Sequence, residues 1–538
     1  MVRSLFDISL AAVCQHGLTS NAAFLPADSK EKLLEYFTSH DMLSSPECRS
    51  VFSEPSFSDN LDRINFFLSD QLTDEILTMI VGHSTQIHEI NIIECPNVTD
   101  IGIINITKNQ QKLFSLNLRA MRNLTQEGLK AVKSAVLHSV DLSGCVKLNS
   151  EAIFELVFFN PSIKKLSLNS CKGLDDQALY DIAYYIGKNL NCIELDFLPN
   201  MLEPATTIQK FSQRCPNISS LSLCRFFEVD ENQLRSASDL DPGFFNEYEI
   251  EGVGLREIDL YGNHFAILPK LPPTLKICRL SLTGSENVDE LVRRLRLQPS
   301  LRQLHLQLEC LEEDFIVIEN ANQFLCNFLP LMGAYVTRLQ ITLHRMTDAA
   351  MEAVTEFIPE LVDLALDVTH LNTHYLRRFF AGGRKSKGSR LHTLKLSRMR
   401  ITYRALFAIG KNATSLTVGL IRSALLLSML KELECSYMNC IDDRFLILLA
   451  DTCKQLRAVN FNGCKWVTDK GLSALARNGK LITCRVRGTA CTDKSIYHLA
   501  RSCPSFEWLS HRDFSGRPNF SEHALQYLRN SCIQRVIC

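Results

Sequence analysis

Leu113-Phe114-Ser115-Leu116-Asn117-Leu118 carries apolar side chains at the first, fourth and sixth positions of a hexad. The same spacing returns at Ile87 to Ile92, Leu137 to Leu142, Ile163 to Leu168, Leu190 to Leu195 and Ile218 to Leu223. It continues through Leu255 to Leu260, Ile277 to Leu282, Leu301 to Leu306, Val336 to Ile341, Leu361 to Leu366 and Leu391 to Leu396. Leu430 to Cys435, Leu456 to Phe461, Leu481 to Val486 and Phe506 to Leu509 extend the series. One such hexad is a common accident, but about sixteen at intervals of roughly two dozen residues specify a repeat architecture. Side chains alternate faces along a strand, so the second and third apolar positions point into a core and the residues between them point out. A polar turn follows each core, then a stretch such as Leu472-Ser473-Ala474-Leu475-Ala476, whose steps of three and four suit a helix. One strand with one helix cannot bury its apolar side alone, so neighbouring units must stack.

The hexads resemble the leucine-rich repeat. Cys95-Pro96-Asn97-Val98-Thr99-Asp100-Ile101-Gly102-Ile103 and Cys464-Lys465-Trp466-Val467-Thr468-Asp469-Lys470-Gly471-Leu472 resemble its cysteine-containing subclass. The resemblance implies an α/β solenoid of horseshoe form, its strands lining a concave face. In that subclass the Thr-Asp pair opens the helix, and a Thr or Asp oxygen can accept from the free amides of a first helical turn. The subclass is widespread among substrate receptors of cullin-type ubiquitin ligases.

With 538 residues, 46% of them apolar, and 58 Lys and Arg against 59 Asp and Glu, the chain reads as globular and electrically balanced. Nucleic-acid binding needs a clustered basic surface, so balance argues against it and against electrostatic attachment to a membrane. Met1 to Asp7 lacks the pattern of a secretory signal, and the apolar stretch near Ala405 to Leu430 is broken by Lys411 and Arg422. The expectation is a soluble protein of the cytoplasm or nucleus. Of the 20 cysteines, Cys95, Cys145, Cys171 and Cys464 follow a strand, and Cys215, Cys453 and Cys503 precede the next core. Both are packing positions, and reduced buried thiols are expected there.

Residues 1–55 form a segment of their own, expected to be helical, and residues 56–538 are expected to form the repeat domain. Inserts interrupt the repeats near 225–254, 307–335 and 382–389, and residues 410–430 fit the pattern poorly. Ser4-Leu5-Phe6-Asp7-Ile8-Ser9-Leu10-Ala11-Ala12-Val13 is a short amphipathic helix candidate. A second helix is expected to start near Pro26, with Leu33, Leu34 and Phe37 on one stripe. The first segment resembles the elongin-C-binding box through Ser4, Leu5 and Val13, with Ser9 where that box has cysteine. The second resembles the cullin 2 box through Leu25, Pro26 and Leu33, with Ser29 at its middle apolar site. Together, placed before leucine-rich repeats, they resemble the zygote-defective (ZYG/ZER) family of cullin 2 receptors. The resemblance implies elongin C with elongin B, and cullin 2, as partners, with Leu5, Ser9 and Val13 on elongin and Leu25, Pro26 and Leu33 on the cullin. That family continues into armadillo-like helices, whereas these strand repeats persist, so the likeness covers about the first two hundred residues. Two alternatives stay open. The segment from Leu25 to Leu43 also resembles an F-box, which implies a receptor of an SCF ligase, or both helices merely cap the solenoid of a scaffold protein.

Phosphate-loop, zinc-protease, nucleophile-elbow and dinucleotide motifs are not found, so no catalytic residue, metal site or cofactor is expected. Binding to an as yet unspecified protein substrate falls instead to outward strand residues, with Asn117, Arg119, Asn169, His305, Lys395 and Asn460 as the leading candidates.

Overall fold

The computed structural model describes residues 24–39, 42–82, 84–227, 249–265, 267–311, 313–380, 390–397, 431–434, 436, 441–511, 519–532 and 536. The predicted helix Ser4 to Val13, most of the first insert, the 382–389 loop and residues 410–430 therefore lie outside the described residues. Two compact units divide the chain, Val2–Cys278 with Arg294–Leu301, and Arg279–Arg293 with Arg302–Cys538.

The first unit holds β1 (Arg63–Phe67), β2 (Glu89–Ile93), β3 (Ser115–Asn117), β4 (Ser139–Asp141), β5 (Lys165–Ser167), β6 (Cys192–Glu194), β7 (Ser220–Ser222) and β8 (Glu257–Leu260). These lie side by side in chain order, every pair parallel. After β9 (Ile277–Leu282), the second unit holds β10 (Gln303–Cys310), β11 (Val336–Arg345), β12 (Asp363–His370) and β13 (Thr393–Ser397), again parallel and sequential. A further parallel run follows in β14 (Glu432–Glu434), β15 (Ala458–Asn460), β16 (Thr483–Arg485) and β17 (Trp508–Ser510). A helix follows most strands, as in Asp100–Thr107, Ser150–Phe159 and Asp469–Ala476. The fold is an α/β leucine-rich repeat solenoid, as the hexads predict.

Register explains why the hexad works. Ile64, Ile90, Leu116, Val140, Leu166, Ile193, Leu221 and Ile258 pair strand to strand into one inward row, none more than 2% exposed. Each such side chain contributes about 1.5–3 kcal/mol by leaving water. The repeats begin one unit earlier than the sequence reading placed them. Leu61-Asp62-Arg63-Ile64-Asn65-Phe66 carries the same hexad, and Leu61, Ile64 and Phe66 are all buried. In the second unit the 307–335 extension is a lengthened β10 followed by the 18-residue helix Phe315–Met332.

The Thr-Asp pair does two jobs, of which the sequence reading captured one. Thr99, Thr125 and Thr468 cap their own helices by accepting from the amides of Ile101, Glu127 and Lys470. The aspartate reaches into the next repeat instead. Asp74 accepts from Thr99 N at 2.8 Å and Thr99 Oγ1 at 2.6 Å, and Asp100 treats Thr125 identically. Asp443 binds Thr468 in the same way, and Asp493 binds Ser521 N and Oγ. Glycine at the third residue past the threonine makes room for this carboxylate. A Cβ at Gly471 would stand 2.6 Å from Asp443 Oδ1. Where Ser495 replaces that glycine, its hydroxyl joins the ladder and donates to Asp469 Oδ1.

Cysteines reinforce the stack. Cys145 Sγ donates to Leu118 O at 3.0 Å and Cys171 Sγ to Leu142 O at 3.1 Å, each a carbonyl one repeat back. Burial pushes the Cys171 and Cys215 thiols up to about 12. Against an ordinary value of 9.0, this leaves roughly a thousandfold less thiolate at pH 8. Iodoacetamide at that pH should therefore label Cys171 and Cys215 orders of magnitude more slowly in the native protein than in urea. Residue-resolved mass spectrometry showing comparable rates in the two conditions would contradict the packing role.

Candidate recognition surface

Alternation assigns a second set of rows to the outward face of the strands. In the first unit Asn65, Asn91, Asn117, Asp141, Ser167, Glu194, Ser222 and Asp259 stand in register across eight strands. Short polar side chains dominate this row, and several are engaged with the backbone. Asn117 Oδ1 accepts from Arg119 N at 3.2 Å, leaving the Arg119 side chain exposed. Asn169 donates to Glu194 Oε2 at 2.9 Å and accepts from Asp196 N at 2.9 Å, so it ties β5 to β6. Asp196 in turn accepts from Ser222 Oγ at 2.6 Å, and burial raises its carboxyl above the usual range against those hydrogen bonds. Asn117 and Asn169 thus hold the strand ends, while the Arg119 side chain is exposed.

In the second unit His305, Arg338, Asp363 and Thr393 form one outward row, and Gln307, Gln340, Ala365 and Lys395 the next. Lys395 is exposed, as a contact residue should be. His305 is not: it is 4% exposed despite its outward position, and its Nδ1 has no hydrogen-bond partner. Burial first, then the charges of Arg338 and Arg279, push the imidazole down to about 4 against the pull of Asp363. The register slips between Leu304 and His305, with Thr337 as the extra residue of β11, and Thr337 Oγ1 is also buried without a partner. Asn460 is buried as well, its Oδ1 accepting from Asn462 N at 3.1 Å. Of the six candidates, Arg119 and Lys395 present charge to solvent, and the other four serve the framework or sit beneath it.

The sequence reading passed over Arg485 and Trp508. Alternation places Arg485 outward between the buried Cys484 and Val486, and its guanidinium lies 6.0 Å from the centre of the Trp508 ring on β17. The tryptophan is 45% exposed.

At the other end of the chain, helix Ala27–Ser39 buries Leu33, Leu34 and Phe37 completely. Phe37 meets Phe52 at 6.0 Å between ring centroids, and Phe52 meets Phe57 at 5.2 Å. The buried Lys30 ammonium donates to Ser56 O at 2.5 Å and Asp59 O at 3.0 Å. Glu31 accepts from Arg63 N at 3.1 Å, joining the helix to the start of β1. Phe24, Leu25 and Pro26, just ahead of the helix, remain exposed. Of the cullin-box residues, then, Leu25 and Pro26 face solvent and Leu33 faces the core. Leu5, Ser9 and Val13 lie outside the described residues. Among the described residues, no three His, Cys, Asp or Glu side chains gather as metal ligands, and no helix is long and apolar enough to cross a membrane.

A family model described as "Leucine Rich repeat" matches residues 452–476, which include Cys464, Thr468, Asp469 and Gly471. Antagonist of mitotic exit network protein 1 of Candida glabrata is 25% identical over 179 residues, 31% of this chain and 35% of that protein. DNA repair protein rhp7 of Schizosaccharomyces pombe is 23% identical over 160 residues, 25% of this chain and 28% of that protein. The chain spans about a third of the length of the curated relatives it matches. Among solved structures, the yeast Rad7 and Elc1 complex matches at 19% identity and a TM-score of 0.40, covering 75% of this chain and 82% of that one.

Proposed function

We propose that this protein is a non-catalytic substrate receptor of a cullin 2 ubiquitin ligase built on elongins B and C, working in the cytoplasm or nucleus. One observation carries the reading. The N-terminal helix is anchored to the solenoid through Leu33, Leu34 and Phe37, yet the residues ahead of it, Phe24, Leu25 and Pro26, are left in water. An apolar tip held on a rigid cap is suited to helix-in-groove contact, where one or two anchors supply much of the affinity. Leu25 and Pro26 are the residues of the cullin-box resemblance that face solvent, and the elongin-box resemblance lies immediately upstream in sequence. The outward strand face then holds a protein substrate, and joining the two on one chain raises the concentration of substrate lysines near the ubiquitin carrier.

The test separates the two arms. Leu5→Ala is expected to cut co-purification with elongin C at least about tenfold, one apolar anchor being worth roughly 1.5–3 kcal/mol. Leu25→Ala with Pro26→Ala is expected to release cullin 2 while elongin C stays bound and the melting temperature holds, because both residues are exposed. Retention of both partners by the triple variant would sink the assignment. Burial of Leu33, Leu34 and Phe37 also favours a second reading, in which the segment is only a cap on a scaffold protein. In that case affinity purification returns neither elongin nor cullin.

A further inference from the structure

The helix side of the first unit carries a cluster of exposed rings. Helices Ser150–Phe159 and Asp176–Tyr185 bury Ile153, Leu156, Leu179 and Ile182 against the strands, and turn aromatic side chains the other way. Phe158 meets Phe154 at 5.6 Å between ring centroids, Tyr185 at 5.4 Å and Phe159 at 5.0 Å, and Tyr185 meets Tyr184 at 4.9 Å. Tyr184 is 70% exposed, Phe158 48% and Phe159 38%. A ring has about 200 Å² to bury, so these three leave about 300 Å² of largely apolar surface in water, the size at which a patch marks an interaction site. Polar groups bound it on both sides. Glu127 and Lys130 pair with each other at 2.8 Å beside the helix Gln126–Leu129, and on Pro204–Arg214 the Lys210 ammonium lies 5.6 Å from the centre of the Tyr180 ring.

Charge at the patch divides by end. Toward the N-terminal end of the helices Glu151 is exposed and Glu155 and Asp181 are half-buried. At the C-terminal end Lys188 is exposed, as is Lys133, whose ammonium lies 3.9 Å from the centre of the Phe159 ring. The remaining carboxylates there are engaged inside the stack, Asp175 by Ser150 Oγ at 2.5 Å and Asp176 by Leu202 N at 2.7 Å. Acid before base follows helix polarity, and it makes the surface complementary to its own reverse. We propose that this patch is the contact between two copies of the chain, related by a twofold axis that crosses both helices at the level of the rings. Each helix then lies antiparallel on its copy, rings on rings, because a twofold contact sets a patch against itself. Glu151 of one copy faces Lys133 of the second, and Asp181 faces Lys188. Glu151 and Phe159 are about 12 Å apart along the helix, far enough for the ion pairs to flank the rings without displacing them. A nucleic acid or an anionic lipid surface would meet the carboxylate end, whereas a second copy satisfies both ends. Two copies bring together about 600 Å² of ring surface, the centre of an interface and not the roughly 1,600 Å² of a standard one. The dimer is therefore reversible, with a dissociation constant on the order of 10 µM. It uses neither the strand face nor the N-terminal segment, so it stands apart from the function proposed above.

Sedimentation velocity of the full chain, run from about 1 to 100 µM, reads the equilibrium directly. Expected is a shift from monomer to dimer across that range, weakened by salt as flanking ion pairs are screened. Tyr184→Glu should raise the dissociation constant at least about tenfold. Lys133→Glu and Glu151→Lys should each weaken self-association, since either sets like charges opposite one another at both ends of the dimer. Mixing those two variants in equal amounts should restore dimers, because each altered residue then meets its opposite on the other chain. All three residues are exposed, so the variants should keep the wild-type melting temperature. A chain that stays monomeric at 100 µM overturns the proposal, as do dimers indifferent to Tyr184→Glu and an equal mixture no more dimeric than its components. Co-sedimentation of a monomeric chain with vesicles of phosphatidylcholine and phosphatidylserine, lost in Tyr184→Glu, would give the patch to a lipid surface and overturn it too.

Discussion

Replacing Asp443 by alanine should destabilise the second unit by about 3 kcal/mol, seen as a lower urea midpoint for that unit's transition. The carboxylate accepts from Thr468 N at 2.8 Å, from Thr468 Oγ1 at 2.6 Å and from Gly471 N at 3.1 Å. Two of these donors are backbone amides at the start of the helix and the third is the hydroxyl of its cap, all partly buried between two repeats, and each loses its partner when the carboxylate goes. Hydrogen bonds to a charged group are worth about 1.5–3 kcal/mol apiece, but three on one group do not add, so about 3 kcal/mol is the expected total. Gly471→Ala should cost a similar amount for the complementary reason. Its new Cβ would stand 2.6 Å from Asp443 Oδ1 and 3.1 Å from Asp443 Cα, forcing the repeats apart. Because both changes act on one contact, the double variant should lose clearly less than the two losses combined. Additive losses would show that the ladder is not the shared cause.

Acid should weaken the same unit through His305. The imidazole is neutral in the folded protein down to about 4, against an ordinary value of 6.5, because it is buried and faces Arg338 and Arg279, with Asp363 opposing them. Between those two values the unfolded chain takes up a proton that the native state refuses. Stability therefore rises with pH across this window, is fully present above 6.5, and is lost as pH falls toward 4. The slope is about 1.4 kcal/mol per pH unit and the whole loss about 3 kcal/mol. Urea midpoints measured at pH 7, 6, 5 and 4.5 should show this slope in the wild type and a flatter one in His305→Gln. An unchanged slope in the variant would place the proton uptake elsewhere. Asp469 adds a second, lower window. Burial pushes its carboxyl up, but hydrogen bonds from Ser495 and Thr492 outweigh that and hold it below 3.8. Its contribution is present above the unfolded value and lost only as pH falls through the folded one.

These residues also show how far reading the chain could go. The strands were legible because the hexad is local: Leu113, Leu116 and Leu118 state their face by spacing alone, and Leu61, Ile64 and Phe66 state theirs in the same way. Helix starts were legible for the same reason, since Thr99 and Thr468 cap amides two residues away. The partner of Asp443 was not, because it sits 25 residues on and only stacking brings it to 2.6 Å. Candidate contact residues divided along the same line. Outward position follows from alternation, which served Arg119 and Lys395, but exposure depends on what neighbouring strands place alongside, which sent His305 and Asn460 under cover.

Sequence by itself thus determined the repeat, the places of the strands and the apolar rows, all consequences of period and of side-chain alternation. Tertiary structure alone decided which carboxylates are spent between repeats, which outward residues stay wet, and that Leu33 is core while Leu25 and Pro26 are surface. The physical reason is range. A solenoid's backbone pattern is set within each repeat, whereas hydrogen bonding, burial and charge are settled between repeats, by groups some 25 residues apart that meet only once the chain has stacked.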